Sequence, residues 1–296
     1  MTSLSTPTRS SNHRPDHRAG DGVVREPGPA ELEPRQFRAR QRRTDALLSW
    51  GVPVLLFALW EVAGRTELLD VRFFPPPSTI WEASVASIED GTLQQAIIVS
   101  ARKVGIGFVL GTIAGVATGI LLGISRMLRA AFEPLIVALY TVPKLSLLPV
   151  LLLVFGLGEL PQILLIAITV FFLISISTIA AMVAVPGPYL ETAHSFRATR
   201  RQVFWHVQLP AALPAIGTAM RLSAGMSVLV MVGIEFILGG EGLGNLIWSS
   251  WTLFLPERMY VGIVVVGVLG LLFTNVVTRL ARRAAPWADD QRMIVT

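Results

Sequence analysis

The stretch GIGFVLGTIAGVATGILLGI, residues 105–124, contains twenty consecutive residues without a charged side chain. An α-helix rises about 1.5 Å per residue, so a run of this length can cross the hydrocarbon core of a bilayer. Glycine recurs at every fourth position, which aligns the glycines along one narrow face and lets another helix approach closely. Helix packing is therefore their favoured role, and lining a solute path is the alternative. These glycines are Gly107, Gly111, Gly115, Gly119 and Gly123.

The composition of the whole chain points the same way. Of its 296 residues 52% are hydrophobic and 15% are charged, whereas soluble domains carry about 25% charged residues. A net charge of +5 could indicate a nucleic-acid partner. The arginines, however, lie beside apolar runs rather than among stacking aromatic residues, which is typical of cytoplasmic flanks. The chain has no cysteine, so disulfides and zinc knuckles are excluded. We expect a protein of the lipid bilayer with no nucleic-acid partner.

Six apolar runs have the length of a membrane span, so the sequence predicts an all-α membrane protein with about six transmembrane helices. The predicted spans are residues 46–64, 104–124, 134–155, 160–185, 213–238 and 259–280. We expect residues 45–285 to form this transmembrane domain. Residues 1–44 are rich in Ser, Pro, Arg and Gly and are predicted to be a disordered cytoplasmic tail, and residues 286–296 a short cytoplasmic C-terminal tail.

The distribution of Lys and Arg near the span ends predicts the orientation of the chain. If the N-terminus is cytoplasmic, fourteen basic residues fall on the cytoplasmic side and five on the other. We therefore predict a multi-pass protein of the plasma membrane with both termini in the cytoplasm. The cytoplasmic set is Arg35, Arg38, Arg40, Arg42, Arg43, Arg126, Arg129, Arg197, Arg200, Arg201, Arg279, Arg282, Arg283 and Arg292; the outer set is Arg65, Arg72, Arg102, Lys103 and Arg258.

The loop over residues 186–212 is the longest of the predicted cytoplasmic connections between two spans. Pro186, Gly187 and Pro188 end the preceding span, and residues 189–196 and 200–207 are then predicted to form two short helices. A basic, amphipathic insert of this kind indicates a docking surface for another protein. A solvated linker is the alternative, although a linker would be richer in Gly and Ser.

Six segments carry a resemblance to a known family. The loop contains ETAHSFRAT, residues 191–199, and VQLPAALP, residues 207–214, which resemble the EAA loop of binding-protein-dependent ABC importer permeases. The other segments are FPPPS (74–78), VPKLSLLP (142–149), FGLGE (155–159) and GLGNL (242–246), in the order and spacing of that family. More narrowly, the chain is similar to the aliphatic sulfonate, taurine and nitrate permeases.

The resemblance implies a type I ABC importer permease fold and a role as the membrane subunit of an importer. It implies three kinds of partner: cytoplasmic ABC ATPase subunits, an extracellular or periplasmic solute-binding protein, and a second copy of the permease. It also implies that the loop couples the permease to the ATPase. Arg197 stands where the family usually has Gly, and we expect the turn there to bend differently. The coupling residues implied are Glu191, Ala193, Arg197, Ala198, Leu209 and Pro210.

ATP hydrolysis is expected in a partner rather than in this chain. A Walker A loop ends in Gly-Lys-Ser/Thr, and neither Lys103 nor Lys144, the two lysines present, follows a glycine. We expect no cofactor and no metal site, since His194 and His206 have no carboxylate cluster beside them. The family carries sulfonates, taurine, nitrate, bicarbonate and heterocyclic precursors, so the resemblance implies a small, anionic solute without naming it.

Four residues within the spans are candidates for the translocation pathway. Lys144 can be a cationic point on an anion path, a structural partner of a buried carboxylate such as Glu235, or a snorkelling side chain. Glu235 shares one helical face with Ser227 and Met231, spaced by four residues. For Glu235 a structural or gating role is favoured over direct contact with the solute.

Two other function classes compete with an importer subunit. A membrane-embedded enzyme would need a metal triad or a nucleophile with a base, and the spans hold neither. A secondary transporter that works without an ATPase would be expected to show inverted repeats, and the two halves of the sequence do not resemble each other.

Overall fold

The structure is a computed structural model of the chain, and it describes residues 34–66 and 68–288. The chain divides into two compact units, Met1–Ala58 and Leu59–Thr296. Most of the tail predicted over residues 1–44 lies outside the described residues, but residues 34–44 belong to the first helix, so a helix begins before the predicted end of the tail. Residues 289–296 of the predicted C-terminal tail also lie outside.

All the regular elements of the described residues are helical. In chain order they are α1 (Pro34–Arg65), α2 (Pro77–Glu89), α3 (Thr92–Ile124), α4 (Arg126–Thr141), a 3₁₀ turn (Lys144–Leu147), α5 (Leu148–Phe155), α6 (Glu159–Val183), α7 (Gly187–Ser195), α8 (Arg200–Leu238), α9 (Leu243–Thr252), α10 (Pro256–Ala284) and a final 3₁₀ turn (Pro286–Ala288).

Four of these helices, α3, α6, α8 and α10, are long and apolar enough to cross a membrane. A fifth span is formed if α4 and the segment Lys144–Phe155 are counted together. The described residues therefore hold four or five such spans where the sequence predicts about six. The first predicted span, residues 46–64, lies within α1, which is not among the five.

The third predicted span is not one continuous helix. The chain bends by 94° between Arg126–Thr141 and Lys144–Phe155. Val142 stands before Pro143 and is extended, with φ −65° and ψ 128°, because the ring of a proline disfavours the helical conformation in the residue before it. The sequence prediction of a single helix over residues 134–155 was wrong for this reason.

The glycine face of α3 packs directly against α6, which confirms the predicted packing role. A methyl group added at Gly107 would lie 2.7 Å from Ile166 Cγ2, and one added at Gly115 would lie 2.9 Å from the carbonyl oxygen of Phe171. Neither contact leaves room for a side chain, so only glycine lets the two helices come this close. This packing makes α6 the centre of the bundle, where Leu165, Val170 and other side chains are fully buried.

A buried ionic network joins α3, α8 and the start of α9. The ammonium Nζ of Lys103 lies 3.1 Å from Glu235 Oε1 and 3.0 Å from the carbonyl oxygen of Glu241. The Ser100 hydroxyl donates to the Glu235 carboxylate at 2.9 Å. Lys103 and Glu235 are 2% and 0% exposed, so their charges must be balanced inside the chain.

The same network caps the N-terminus of α9. The backbone N–H of Gly244 donates to Glu235 Oε2 at 2.8 Å, and that of Leu243 donates to the Ser100 hydroxyl oxygen at 2.9 Å. The first N–H groups of a helix lack partners within it and favour a negative charge nearby. A side chain at Gly242 would overlap the Glu235 carboxylate. We call Ser100, Lys103, Glu235 and the first turn of α9 the Glu235 joint.

Replacement of Lys103 by Met should destabilise the chain by about 3–5 kcal/mol, because it leaves the Glu235 carboxylate buried without its countercharge. The purified protein in detergent should unfold at a clearly lower temperature. The double variant Lys103→Met/Glu235→Gln removes both charges and should recover part of this loss.

The neighbouring residue supplies a matched control. Arg102 pairs with Glu159 at a position where both side chains are about half exposed, and exposed pairs contribute about 0–1 kcal/mol. Arg102→Gln should therefore change the unfolding temperature little. Equal effects of Lys103→Met and Arg102→Gln, or a double variant no more stable than Lys103→Met, would show that the joint does not hold the fold.

Candidate functional site

The predicted coupling loop is formed by α7 and the first turns of α8. The second short helix expected over residues 200–207 is not separate, because α8 runs on from Arg200 to Leu238. Within it, Phe204–Gln208 form a π-helical turn in which the Leu209 N–H bonds to the Phe204 carbonyl five residues back. Pro210 follows and has no N–H to donate, so the widened turn carries the helix past it.

The turn between α7 and α8 is built on a left-handed arginine. Arg197 has φ +55°, its N–H donates to His194 O at 2.8 Å, and the Ala198 N–H donates to Ala193 O at 3.1 Å. This pair of bonds is the Schellman motif, in which glycine usually occupies the left-handed position. The expectation that arginine would bend the turn differently was wrong, since the motif forms and the strain, about 1–2 kcal/mol, is absorbed.

A capping box then starts α8. The Thr199 hydroxyl accepts from the Gln202 N–H, and the Gln202 side chain accepts from the Thr199 N–H at 2.8 Å. This reciprocal pair satisfies two N–H groups that would otherwise face solvent. The end of α7 and the start of α8 are therefore both closed by local hydrogen bonds.

The loop presents a shallow concave surface lined by residues of both helices. Ala193 and Ala198 line it beside Phe196 and His206, and the Phe196 side chain is 83% exposed. Small residues below an exposed ring leave space for an apolar side chain of a partner. Leu209 and Pro210, which the sequence also predicts to be coupling residues, are half-buried in α8, farther along the chain.

Glu191 is exposed and is the fifth residue of α7. The first turn of α7 has no acidic residue, so Glu191 lies just beyond the turn in which the positive helix end acts most strongly. Its carboxylate has no hydrogen bond or ion pair within residues 34–66 and 68–288. The charge is thus available to a partner.

The four pathway candidates fall into two places. Ser227, Met231 and Glu235 lie together on the buried face of α8, and each is at most 1% exposed. Lys144 begins the 3₁₀ turn that follows α4, and its ammonium donates to the carbonyl oxygens of Leu139, Tyr140 and Val142, at 2.6–3.2 Å.

Lys144 therefore serves as a cap for the free carbonyls at the C-terminus of α4. Its Nζ also lies 5.1 Å from the centroid of the Phe172 ring and 5.2 Å from that of Tyr140, a favourable cation–π distance. The suggested pairing of Lys144 with Glu235 was wrong, because Lys103 holds that carboxylate.

Sequence reasoning missed the role of Lys103, which was counted as a flanking charge on the outer side. It lies inside α3, which begins eleven residues earlier at Thr92. One signal could have pointed to it: a buried glutamate needs a cation, and this chain has only two lysines. Ser100 had no comparable signal, since serine is common in membrane helices.

The sequence matches a family of transport proteins over most of this helical unit. Residues 107–286 match the family described as "Binding-protein-dependent transport system inner membrane component". The taurine transport system permease protein of Escherichia coli is 31% identical over 248 residues, which cover 82% of this chain and 90% of the relative. The nitrate import permease protein of Leptolyngbya laminosa is 30% identical, with 80% and 86% of the two chains covered.

A solved structure has the same fold. The MetNI methionine ABC transporter in an inward-facing conformation matches with a TM-score of 0.58 over 65% of this chain and 95% of that chain, at 19% sequence identity. The relatives resemble this chain along nearly their full lengths. The chain therefore belongs to the binding-protein-dependent transport system inner membrane component family, and it is the permease subunit of an ABC importer with a type I permease fold.

Proposed function

We propose that this permease carries a small anionic solute, which an extracellular binding protein delivers and a separate cytoplasmic ATPase drives across the membrane. The observation that carries the proposal is the continuity of α8. Its first turn forms the exposed loop with α7, and its last turns hold Glu235 in the buried joint. A helix of 39 residues is about 58 Å long, so one element links the loop to the membrane interior.

The loop supplies the surface that the ATPase contacts. Glu191, Ala193, Arg197 and Ala198 belong to it, and Leu209-Pro210 marks where the loop passes into the span. An exposed aromatic ring above small residues, with exposed charges around it, is the composition of a protein-docking surface. In this proposal, movement of the ATPase displaces the loop, and α8 transmits the displacement to the Glu235 joint.

The solute proposal rests on the relatives. Taurine carries an anionic sulfonate group, and nitrate is an anion, so the two permeases are named for small solutes that contain an oxyanion group. Within this chain we assign Ser227, Met231 and Glu235 to the support and gating of the pathway rather than to its wall, because they are buried. Lys144 is assigned to the bend between α4 and α5, because its ammonium donates to the carbonyl oxygens at the end of α4.

We further propose that two copies of the permease pair in the complex. The ATPases of such importers act as dimers, and each ATPase subunit needs its own coupling loop. Large apolar side chains remain exposed along α8, among them Leu222, Met226 and Leu229. They recur at helical spacing on the face opposite Glu235 and offer a surface for a second copy or for lipid.

Purification of the tagged permease from its own membrane should bring down an ABC ATPase. In proteoliposomes that contain this complex, uptake of labelled taurine, nitrate or an aliphatic sulfonate should require both ATP and the binding protein. ADP in place of ATP serves as the control. Uptake that continues with ADP, or a purified permease with no ATPase bound, would favour transport without an ATPase.

Charge reversal at Glu191 should uncouple the complex. Because Glu191 is exposed, Glu191→Lys should leave membrane insertion and subunit abundance unchanged. At the interface with the ATPase, however, the new lysine would face a like charge, which costs several kcal/mol. ATP-driven uptake, and the stimulation of ATPase activity by loaded binding protein, should fall by about tenfold or more.

Arg197→Gly is the matched control in the same loop. Glycine adopts the left-handed conformation of residue 197 without strain, so uptake should be unchanged or higher. Normal transport by Glu191→Lys, or loss of uptake in Arg197→Gly, would mean that the coupling surface lies elsewhere.

The proposed orientation places both termini in the cytoplasm and the turn before α9 outside. Because the chain has no cysteine, single cysteines can be placed at either terminus and at the exposed Glu241. A membrane-impermeant maleimide added to intact cells should label Glu241→Cys and neither terminus. External labelling of the C-terminal cysteine would overturn this orientation.

A further inference from the structure

Arg221 is a charged residue that neither the loop nor the Glu235 joint uses. It lies inside α8 and within the predicted span 213–238. No carboxylate pairs with it, and its guanidinium makes no hydrogen bond in the part of the chain that the structure describes. Charged residues within membrane spans are rare, and they face a partner or an aqueous cavity rather than lipid.

A cavity of about 330 Å³ lies beside Arg221, between α8 and α10. Thr218 and Arg221 line it from α8, and Thr278 and Arg282 line it from α10. Spacings of three and four residues place each pair on one face of its helix. The cavity therefore collects two cationic side chains that lie 61 positions apart in the sequence.

The floor of the cavity is a close approach of the two helices. A methyl group added at Gly217 would lie 3.1 Å from the side chain of Ala281. Because these residues stand beside the polar ones in each helix, the contact fixes the separation of the two arginine-bearing turns. The cavity is thus a consequence of helix packing rather than of a mobile loop.

The chemistry of the lining selects an anion. Among the described residues that line the cavity there is no carboxylate. The two threonine hydroxyls donate to backbone carbonyls of their own helices, Thr218 to Pro214 and Thr278 to Thr274. The guanidinium groups of Arg221 and Arg282 remain as donors, and their forked geometry matches the oxygens of a phosphate or related oxyanion.

The helix dipole explains only part of this arrangement. Arg282 is in the last turn of α10, where a cation suits the negative end of the helix. Arg221 lies well inside α8, so no helix end accounts for its charge. A bound anion accounts for both residues.

We propose that Arg221 and Arg282 form a binding site for a phosphate-type oxyanion between α8 and α10. The phosphate of an anionic phospholipid and free inorganic phosphate share this chemistry. In the orientation proposed above, the basic end of α10 faces the cytoplasm, where anionic headgroups are abundant. The site itself depends on neither the solute nor the coupling mechanism.

The test is native mass spectrometry of the detergent-purified permease complex with phosphatidylglycerol or phosphatidylcholine. The wild type should retain phosphatidylglycerol in preference to phosphatidylcholine. Arg221→Gln and Arg282→Gln should each lower this preference about fivefold, since one basic side chain near an anionic headgroup contributes on that scale. Arg221→Lys keeps the positive charge and should retain most of the preference for phosphatidylglycerol. Arg221→Gln removes an intramembrane charge, which eases insertion, so this variant should reach the membrane.

Arg283→Gln is the matched control, because it removes the same charge from the adjacent residue, which does not line the cavity. Thermal unfolding of lipid-stripped complex with added inorganic phosphate separates the two sources. If phosphate stabilises the wild type and not Arg221→Gln, the site binds the free ion. If the wild type prefers phosphatidylglycerol but phosphate gives no stabilisation, the site binds a lipid headgroup. The proposal fails if neither ligand distinguishes the cavity variants from Arg283→Gln.

Discussion

The burial of one carboxylate constrains the arrangement of three helices. Glu235 lies where no water can solvate its charge, so the fold must bring it a cation and hydrogen-bond donors. Lys103 supplies the cation from α3, Ser100 supplies a hydroxyl from the same helix, and the first turn of α9 supplies backbone N–H groups. None of these groups can move independently without leaving an uncompensated charge. The glycine face of α3 then determines how closely α6 can approach, so the joint and the glycine face together position the bundle.

Against that fixed bundle, α8 is the element that reaches from one functional region to another. Its first turns are capped locally by Thr199 and Gln202 and pack through Phe204 against a buried cluster that includes Met182 of α6, whereas its far end is held by the Glu235 joint. A continuous helix anchored at both ends is suited to transmit a displacement from one end to the other. In the coupling proposed above, a displacement of the loop reaches the Glu235 joint through this one helix.

Much of this could be predicted from the sequence because hydrophobic length and glycine periodicity are local properties. The helical class and the close packing of α3 followed from short segments, and the ordered motifs identified the family. What could not be predicted depended on contacts between distant residues. Lys103 was treated as a flanking charge, and Lys144 was suggested as the partner of Glu235, which in fact pairs with Lys103. The bend at Val142 and Pro143 was missed because apolar length alone cannot distinguish a straight span from a broken one. The left-handed Arg197 shows that a motif can form without its preferred residue when the surrounding bonds outweigh the strain.

The π turn at Phe204–Gln208 sets the angular phase between the two ends of α8. One residue of an α-helix corresponds to a rotation of about 100°, so the extra residue in a π turn rotates everything before it relative to everything after it. The direction in which the loop faces is therefore fixed by a single additional residue next to Pro210, and not by the many contacts of the span. Insertions or deletions in α8 would be tolerated very differently on the two sides of this turn. Those before it would reshape only the loop, whereas those after it would turn the whole loop away from its partner while leaving its own structure intact.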